Sequence, residues 1–363
     1  MAITLAQFKA TDLEDLQKGA IDEFRKNSFI IDKIPWDNSV SPFGNGGTLT
    51  YSYIRQTTQP SAAFRAVNEE YTAAEVENTK YSTEVKILGG SYQLDRISNY
   101  LGGAVEYEAQ QMNQKIKAVS SLFVDTSING DSATNSKQFD GLDKMITGSS
   151  TEFNADGDVT IDLSTSAKIT SNYTAFLDYL DECMMQLDEK PSFIGGNTAL
   201  ISKIRACARR SAMYSTTLNE FGQQVEAYAG IPLVDFGAKA GSNNPIVPTD
   251  ATTGCTDIYM AKFGEDAFHA ISLDSGIIKA IPADFSTSGS VKTGSVEMYA
   301  AVVLKRTKAA GIIRGVQVAA ATPAPEGGGG TGENDPEGGG GSGENDPEGG
   351  GGTGENDPEN LGP

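Results

Sequence analysis

Ile97, Leu101, Val105, Met112, Ile116, Val119 and Phe123 recur in steps of mostly three or four within DRISNYLGGAVEYEAQQMNQKIKAVSSLFVD, residues 95–125. That spacing puts them on one apolar stripe of a single long helix. At 1.5 Å per residue such a helix is about 40 Å long, longer than most globular helices and suited to a spine along which other elements pack. Gly102-Gly103 lies inside it. Each glycine costs the helix about 1 kcal/mol relative to alanine, so the pair marks a bend or a close backbone approach.

Outward toward the N-terminus, residues 48–94 are rich in strand signals. Leu49, Tyr51 and Tyr53 alternate with Thr50, Ser52 and Ile54, the period of a half-exposed strand. A second apolar run, Val85 to Leu88, is followed by Gly89-Gly90, Tyr92 and Leu94. Between the two runs lies a polar excursion, Gln59 to Ser82. Two strands joined by so long a polar segment predict a projecting hairpin with no compact core of its own. Residues 1–35 read as an arm with helical pieces, carrying Leu13, Leu16, Ile21 and Phe24 behind a Thr11 N-cap. Ile30, Ile31, Ile34 and Trp36 follow, up to the turn-rich Ser41 to Gly47. This amphipathic arm has no obvious local partner in the sequence and is expected to pack on another subunit.

Toward the C-terminus, Asn129-Gly130-Asp131 ends the long helix, and Phe139-Asp140-Gly141-Leu142 closes the loop after it. A helix is expected over 173–189, with Phe176, Leu180, Met184 and Leu187 inward. Another runs to about Arg210 behind Asn197, with Leu200, Ile204 and Cys207 inward. Strands are expected at 225–228, 231–234, 257–263, 268–273, 277–281, 296–304 and 312–318. Helices and strands do not alternate regularly, so the fold class is α+β.

The chain has 363 residues and a formal net charge of −20. Ten of its carboxylates and none of its Lys or Arg fall in residues 326–363, together with 16 of the 41 glycines. There the unit Pro-Glu-Gly-Gly-Gly-Gly-Thr/Ser-Gly-Glu-Asn-Asp starts at Pro325, Pro336 and Pro347. Without apolar residues, such a repeat cannot offset the entropy of ordering and is expected to be a flexible tail. A calcium-binding β-roll would need a period of nine and an inward apolar residue where Pro stands. In the rest of the chain no run of Lys or Arg exceeds a pair. Tight nucleic-acid binding through phosphate neutralisation is therefore disfavoured, whereas an acidic surface suits a container to which its contents must not stick. Cys183, Cys207 and Cys255 are widely spaced, which reads as free thiols in a reducing cytoplasm. Met1 to Phe8 lacks the pattern of a signal peptide, and no apolar stretch is long enough for a membrane helix.

Catalytic constellations are missing from the sequence. The only histidine, His269, falls on an expected strand and reads as a packed residue rather than a general base. No GxSxG, Walker A or HExxH motif occurs. Asn154-Ala155-Asp156-Gly157-Asp158 has part of the spacing of a calcium loop but lacks the distal Glu and flanking helices, so a plain polar turn is the reading. Asp181, Glu182, Asp188 and Glu189 read as a solvated helix face. No catalytic, cofactor-binding or metal-binding residue is assigned, and an enzyme is not expected.

Several phrases in order resemble the tailed-bacteriophage major capsid proteins of the Hong Kong 97 type (the HK97-like fold). They are Phe64-Arg65-Ala66-Val67-Asn68-Glu69 in the hairpin, Gly89-Gly90-Ser91-Tyr92-Gln93-Leu94-Asp95-Arg96 before the long helix, and Asn129-Gly130-Asp131 with Phe139-Asp140-Gly141-Leu142 after it. Ala227 to Asp235 and Ile258 to Asp266 complete the series. The resemblance implies an N-terminal arm at 1–46 and an extended loop at 47–94 that lies over a neighbouring subunit. It implies a peripheral domain with the spine helix at 95–174 and 286–322, and an axial domain at 175–285. The Gly-rich tail, 323–363, is outside the family pattern. Its partners would be copies of itself, in pentamers and hexamers of an icosahedral shell that encloses double-stranded DNA without sequence-specific binding. A portal and possibly a decoration protein would accompany it, with no membrane. The chain lacks the N-terminal scaffolding segment that some members carry, so a separate scaffolding protein is implied. Some members crosslink a loop lysine, for which Lys80 and Lys86 are candidates with no partner singled out. The implied setting is a virion capsid assembled in the bacterial host cytoplasm. The alternative is an encapsulin, a nanocompartment shell protein of the same fold.

Overall fold

Met112, Ile116, Val119 and Phe123 are all buried on one side of a helix spanning Ala104–Asn129, about 39 Å long at the usual rise. The computed structural model describes residues 29–40, 49–58, 60–73, 75–95, 104–212, 214–218, 224–242, 244–273, 276, 278–284, 286 and 288–321. The Thr11 cap, the Gly102-Gly103 pair and the repeat tail lie outside them.

In chain order the elements are α1 (Phe29–Lys33), β1 (Trp36–Asp37), β2 (Thr50–Gln56), β3 (Asn78–Glu84), β4 (Lys86–Asp95) and the spine helix α2 (Ala104–Asn129). Then come α3 (Leu142–Ile146), β5 (Glu152–Phe153), β6 (Ile161–Asp162), α4 (Ser166–Met185), β7 (Phe193–Gly196) and α5 (Thr198–Arg210). The remainder is strand: β8 (Tyr214–Leu218), β9 (Gln224–Tyr228), β10 (Ile231–Asp235), β11 (Cys255–Ala261), β12 (Phe268–Ser272), β13 (Lys279–Ile281), β14 (Val291–Leu304) and β15 (Ala310–Gln317).

Strand β14 organises the first sheet. One edge pairs antiparallel with β4 from Val291↔Asp95 to Ala300↔Lys86. The other edge takes β13 at Ser295 to Glu297 and then β12 at Ala300 to Leu304. The even-numbered residues Leu88, Tyr92, Leu94, Val296 and Met298 are buried in the same core as the spine helix. Tyr92 lies across Gly294, its register partner, where a Cβ would overlap the ring. Its hydroxyl reaches Glu108 Oε1 of the spine helix at 3.1 Å. The odd-numbered residues Ile87, Ser91, Thr293 and Glu297 are exposed or half-buried, as a sheet with one covered face requires.

The second sheet runs β5-β15-β11-β7-β10-β9-β8, with β6 also on β15. Its middle strands are buried on both faces. Phe193, Val234, Tyr259 and Ile312 belong to the core of the spine helix. Ile194, Leu233, Ile258 and Ile313 belong to a second core, under α4 and α5. Asn197 caps α5 by accepting from Leu200 N at 2.8 Å, while its amide donates to Val247 O, Thr249 Oγ1 and Thr256 Oγ1. A buried polar side chain placed at a helix start is thereby fully used.

Four readings of the sequence change. The long polar excursion is not wholly loop, because Asn78–Glu84 is a strand that pairs with β2. The limb read as the hairpin's return, 85–94, instead belongs to the sheet under the spine helix. A polar strand such as Asn-Thr-Lys-Tyr-Ser-Thr-Glu has no apolar period to reveal it, and backbone pairing with β2 and the stacking of Tyr81 on Tyr53 hold it. The arm has a local partner over residues 29–40: Ile30, Ile31, Ile34 and Val40 are buried, Trp36 packs on Phe123 at 5.5 Å, and β1 runs parallel to β12. The helix read at 173–189 spans Ser166–Met185, starting from the Thr165 cap, so Asp188 and Glu189 lie beyond its end. Helix α4 crosses position 174/175, β12 and β13 share a sheet with β14, and β15 shares one with β7 and β10.

Two tight points hold the layers together. Gly141 donates to Gly130 O at 2.8 Å, and a Cβ on it would overlap the Thr126 and Ile128 carbonyl oxygens. Its φ of −92° is open to any residue, so the demand is for space. Arg314 of β15 bonds Glu152 (2.5 Å), Asp143 (2.9 Å) and Asp257 (3.3 Å). Burial opposes its charge, but the three carboxylates outweigh that and raise its pKa. The Asp257 carboxyl is nonetheless pushed up by its own burial. Gly141→Ala should lower unfolding free energy by about 1–3 kcal/mol, as overpacking against backbone does. Arg314→Met, which leaves three carboxylates facing one another, should cost about 3 kcal/mol. Urea unfolding of the purified monomeric chain measures both.

Candidate assembly surfaces

The β2–β3 hairpin has little interior of its own, and side chains from one face root it on the body. Tyr53 Oη donates to Leu304 O at 3.1 Å. Arg55 donates from Nε to Lys305 O and from Nη2 to Leu304 O, each at 2.8 Å. The Arg55 guanidinium also lies 4.5 Å from the Tyr81 ring centroid, and Tyr81 stacks on Tyr53 at 5.6 Å. Lys305 sits over Tyr51 at 5.5 Å. This cation–aromatic clamp joins the hairpin to the end of β14. The alternation of Leu49, Tyr51 and Tyr53 was its sequence signal; nothing local pointed to Arg55, Leu304 or Lys305.

Beyond the clamp the polypeptide stands clear. Every described residue from Thr57 to Glu77 is exposed, including Phe64 at 107%, Val67 at 90% and Tyr71 at 64%. Thr57 N donates to Glu77 O at 2.9 Å and closes the stem. At the tip Ala66 N donates to Glu69 Oε2 at 3.0 Å, and Arg65 lies over Tyr71 at 5.3 Å. Fully burying an aromatic or large aliphatic side chain is worth about 1.5–3 kcal/mol. The tip forgoes that within one chain, and large apolar side chains left exposed together on one segment point to an interaction surface. Four glutamates, Glu69, Glu70, Glu75 and Glu77, flank it.

The residues weighed for chemistry are scattered. His269 is fully buried on β12 and packs edge-on to Tyr51 at 5.8 Å. Burial, with the Lys305 charge, pushes its pKa down to about 4, against the opposing pull of Asp37 and Asp266. Burial likewise pushes the Cys183 thiol up to about 12 and Cys207 to about 11, which keeps both protonated and unreactive. Asn154 spends its amide on Asp158 O, Thr160 Oγ1 and Arg314 O at 2.6–2.9 Å, so the 154–158 segment is a turn tied to β15. Asp181 accepts from Tyr228 Oη at 3.0 Å, and Glu189 pairs with Arg306 at 2.9 Å. Lys86 pairs with Glu84 at 2.8 Å, and Lys80 is exposed on β3. Among the described residues no group of three or more His, Cys, Asp and Glu could hold a metal, and no helix is long and apolar enough to cross a membrane.

No family model matches the chain. No curated protein matches it either. Solved structures do. The chain is similar to a chain from Mycobacterium phage Bobi, with a TM-score of 0.52 and 12% identity over 79% of this chain and 90% of that one. It is similar to the holo-SrpI encapsulin complex from Synechococcus elongatus, with a TM-score of 0.50 and 14% identity over 82% and 90%. The capsid of an empty GTA particle gives a TM-score of 0.50 and 9% identity over 80% and 90%.

Because the folded His269 resists a proton until about pH 4 while an unfolded one binds it near 6.5, its contribution to stability is complete above pH 6.5. That contribution is lost as pH falls from there toward 4. His269→Phe should flatten this part of the pH–stability curve, as read by thermal unfolding between pH 7 and 4.

Proposed function

We propose that this chain, which has the Hong Kong 97-type capsid fold, is a structural shell subunit that assembles with copies of itself into an icosahedral particle around phage double-stranded DNA. The observation that carries the reading is the hairpin. An element clamped at its root and exposed over Thr57 to Glu77 with Phe64, Val67 and Tyr71 outward gains its apolar burial only from another subunit. Residues 47–84 are then the loop that lies over a neighbour, and the spine helix with the β4–β14 sheet is the peripheral body beneath it. The region of α4, α5 and β8–β10 is the axial part that meets its copies around five- and six-fold axes. A net charge of −20 suits a wall that releases its nucleic acid. Such a shell, formed in the host cytoplasm, would also engage a separate scaffolding protein, a portal and in some designs a decoration protein.

Similarity to the Synechococcus encapsulin over 82% of the chain favours a second reading, a compartment shell around cargo protein. The contents of purified particles separate the two: nuclease-protected DNA supports the phage reading, and a co-purifying enzyme supports the other.

Replacing residues 60–76 by a short Gly-Ser linker should abolish closed shells in negative-stain images. The unfolding midpoint should stay within a few degrees of the full chain, because the excised residues contribute nothing to either core. Normal particles from this variant would overturn the hairpin's role.

A further inference from the structure

Helix α4 carries its charges in the order that its own dipole disfavours. A helix C-terminus is electronegative and stabilises cations, while its N-terminus stabilises anions. Yet the last turn of Ser166–Met185 has no basic residue and the first turn no acidic one. Asp178, Asp181 and Glu182 stand instead at i, i+3 and i+4 near the C-terminal end, where like charges also repel one another. None of the three has an ion-pair partner among the described residues; Asp181 holds only the Tyr228 hydroxyl. Met185, beside them, is 84% exposed.

The other end of the same helix is cationic. Lys168 is exposed in the first turn, paired with Asp162 at 3.3 Å. Arg210, at the end of α5, donates to Ser166 Oγ at 3.1 Å, which brings Arg209 and Arg210 to the α4 N-terminus. Arg209 is exposed and has no ion-pair partner among the described residues. From Lys168 to Glu182 the helix advances about 21 Å, well beyond the ~8 Å screening length at physiological salt. The two ends therefore cannot neutralise each other within one chain.

Charges that cost a helix stability locally and yet stand in two opposite, separated groups point to a use outside the chain. We propose that the acidic α4 C-terminus of one subunit, Asp178, Asp181 and Glu182 around Met185, docks on the basic end, Lys168, Arg209 and Arg210, of the next copy. The contact is heterologous, head to tail, and such contacts close into rings when the rotation between copies closes. It aligns each helix dipole with the next and brings to every carboxylate group the cations that its own chain withholds. The inference rests on the shell-subunit reading and adds to it the surfaces through which ring neighbours recognise each other.

The test is charge reversal in the full chain. Asp178→Lys/Glu182→Lys and, separately, Arg209→Glu/Arg210→Glu should each raise the critical concentration for particles at least tenfold, read by light scattering and negative stain. The fourfold variant, reversed at both ends, should recover particles. The acidic-end reversal should leave the thermal midpoint unchanged or higher, since it relieves the dipole conflict, whereas a merely structural role would lower it. The neutral pair Asp178→Asn/Glu182→Gln provides a check that does not depend on a reversal folding. It should weaken assembly severalfold and reduce its sensitivity to salt. Normal particles from either reversal, failure of a folded fourfold variant to recover, or an unchanged salt dependence in the neutral pair would overturn the proposal. If the unaltered chain forms no shells at all, the shell reading itself fails, which is a distinct result.

Discussion

The backbone pairing of Val291–Leu304 is the constraint from which the other placements follow. Buried amides and carbonyls must find partners, and this strand finds them along both edges, with β4 on one side and β13 then β12 on the other. Its even-numbered face receives the spine helix, so a slip of one residue would turn Val296 and Met298 out of the core. Its last residue, Leu304, and the next one, Lys305, supply the carbonyls that Tyr53 and Arg55 grip. Sheet, spine helix and hairpin root thus share one reference element. The arm joins it through β1 on β12.

Around that strand the described chain divides its physical economy unevenly. The middle of the second sheet is covered on both faces and separates two apolar cores. The Arg314 cluster ties β15 to α3, β5 and β11. Against this consistent interior stand a few surface features that each violate a local rule. The hairpin tip exposes Phe64 and Val67, and α4 opposes its own dipole. Among the described residues His269 and Cys183 are buried in an unreactive state and Arg314 is spent on a structural cluster, so such violations are where function is best sought. They are surfaces rather than pockets, and surfaces act by meeting other molecules.

Much of the architecture was legible in the sequence, and for a common reason. The stripe Met112-Ile116-Val119-Phe123, the alternation at Tyr51 and Tyr53, the Asn197 cap and the apolar runs at 257–263 and 296–304 report whether a segment has one covered face, two or none. The Asn129-Gly130 and Phe139 to Leu142 phrases also make sense locally, since glycine at 130 and 141 allows two backbones to touch. The polar strand Asn78–Glu84 escaped because its side chains carry no burial signal.

The sequence by itself therefore determined the α+β class, the spine helix and a long projecting segment before it, because periodicity and residue chemistry are local properties. Only the tertiary structure decided that β2 closes with β3 and not with β4, and that residues 29–40 seat on their own core. It alone brought together Arg314 with Asp143, and Arg210 with the start of α4. Those outcomes depend on strand register and on contacts between residues far apart in the chain, where no local pattern distinguishes one partner from another.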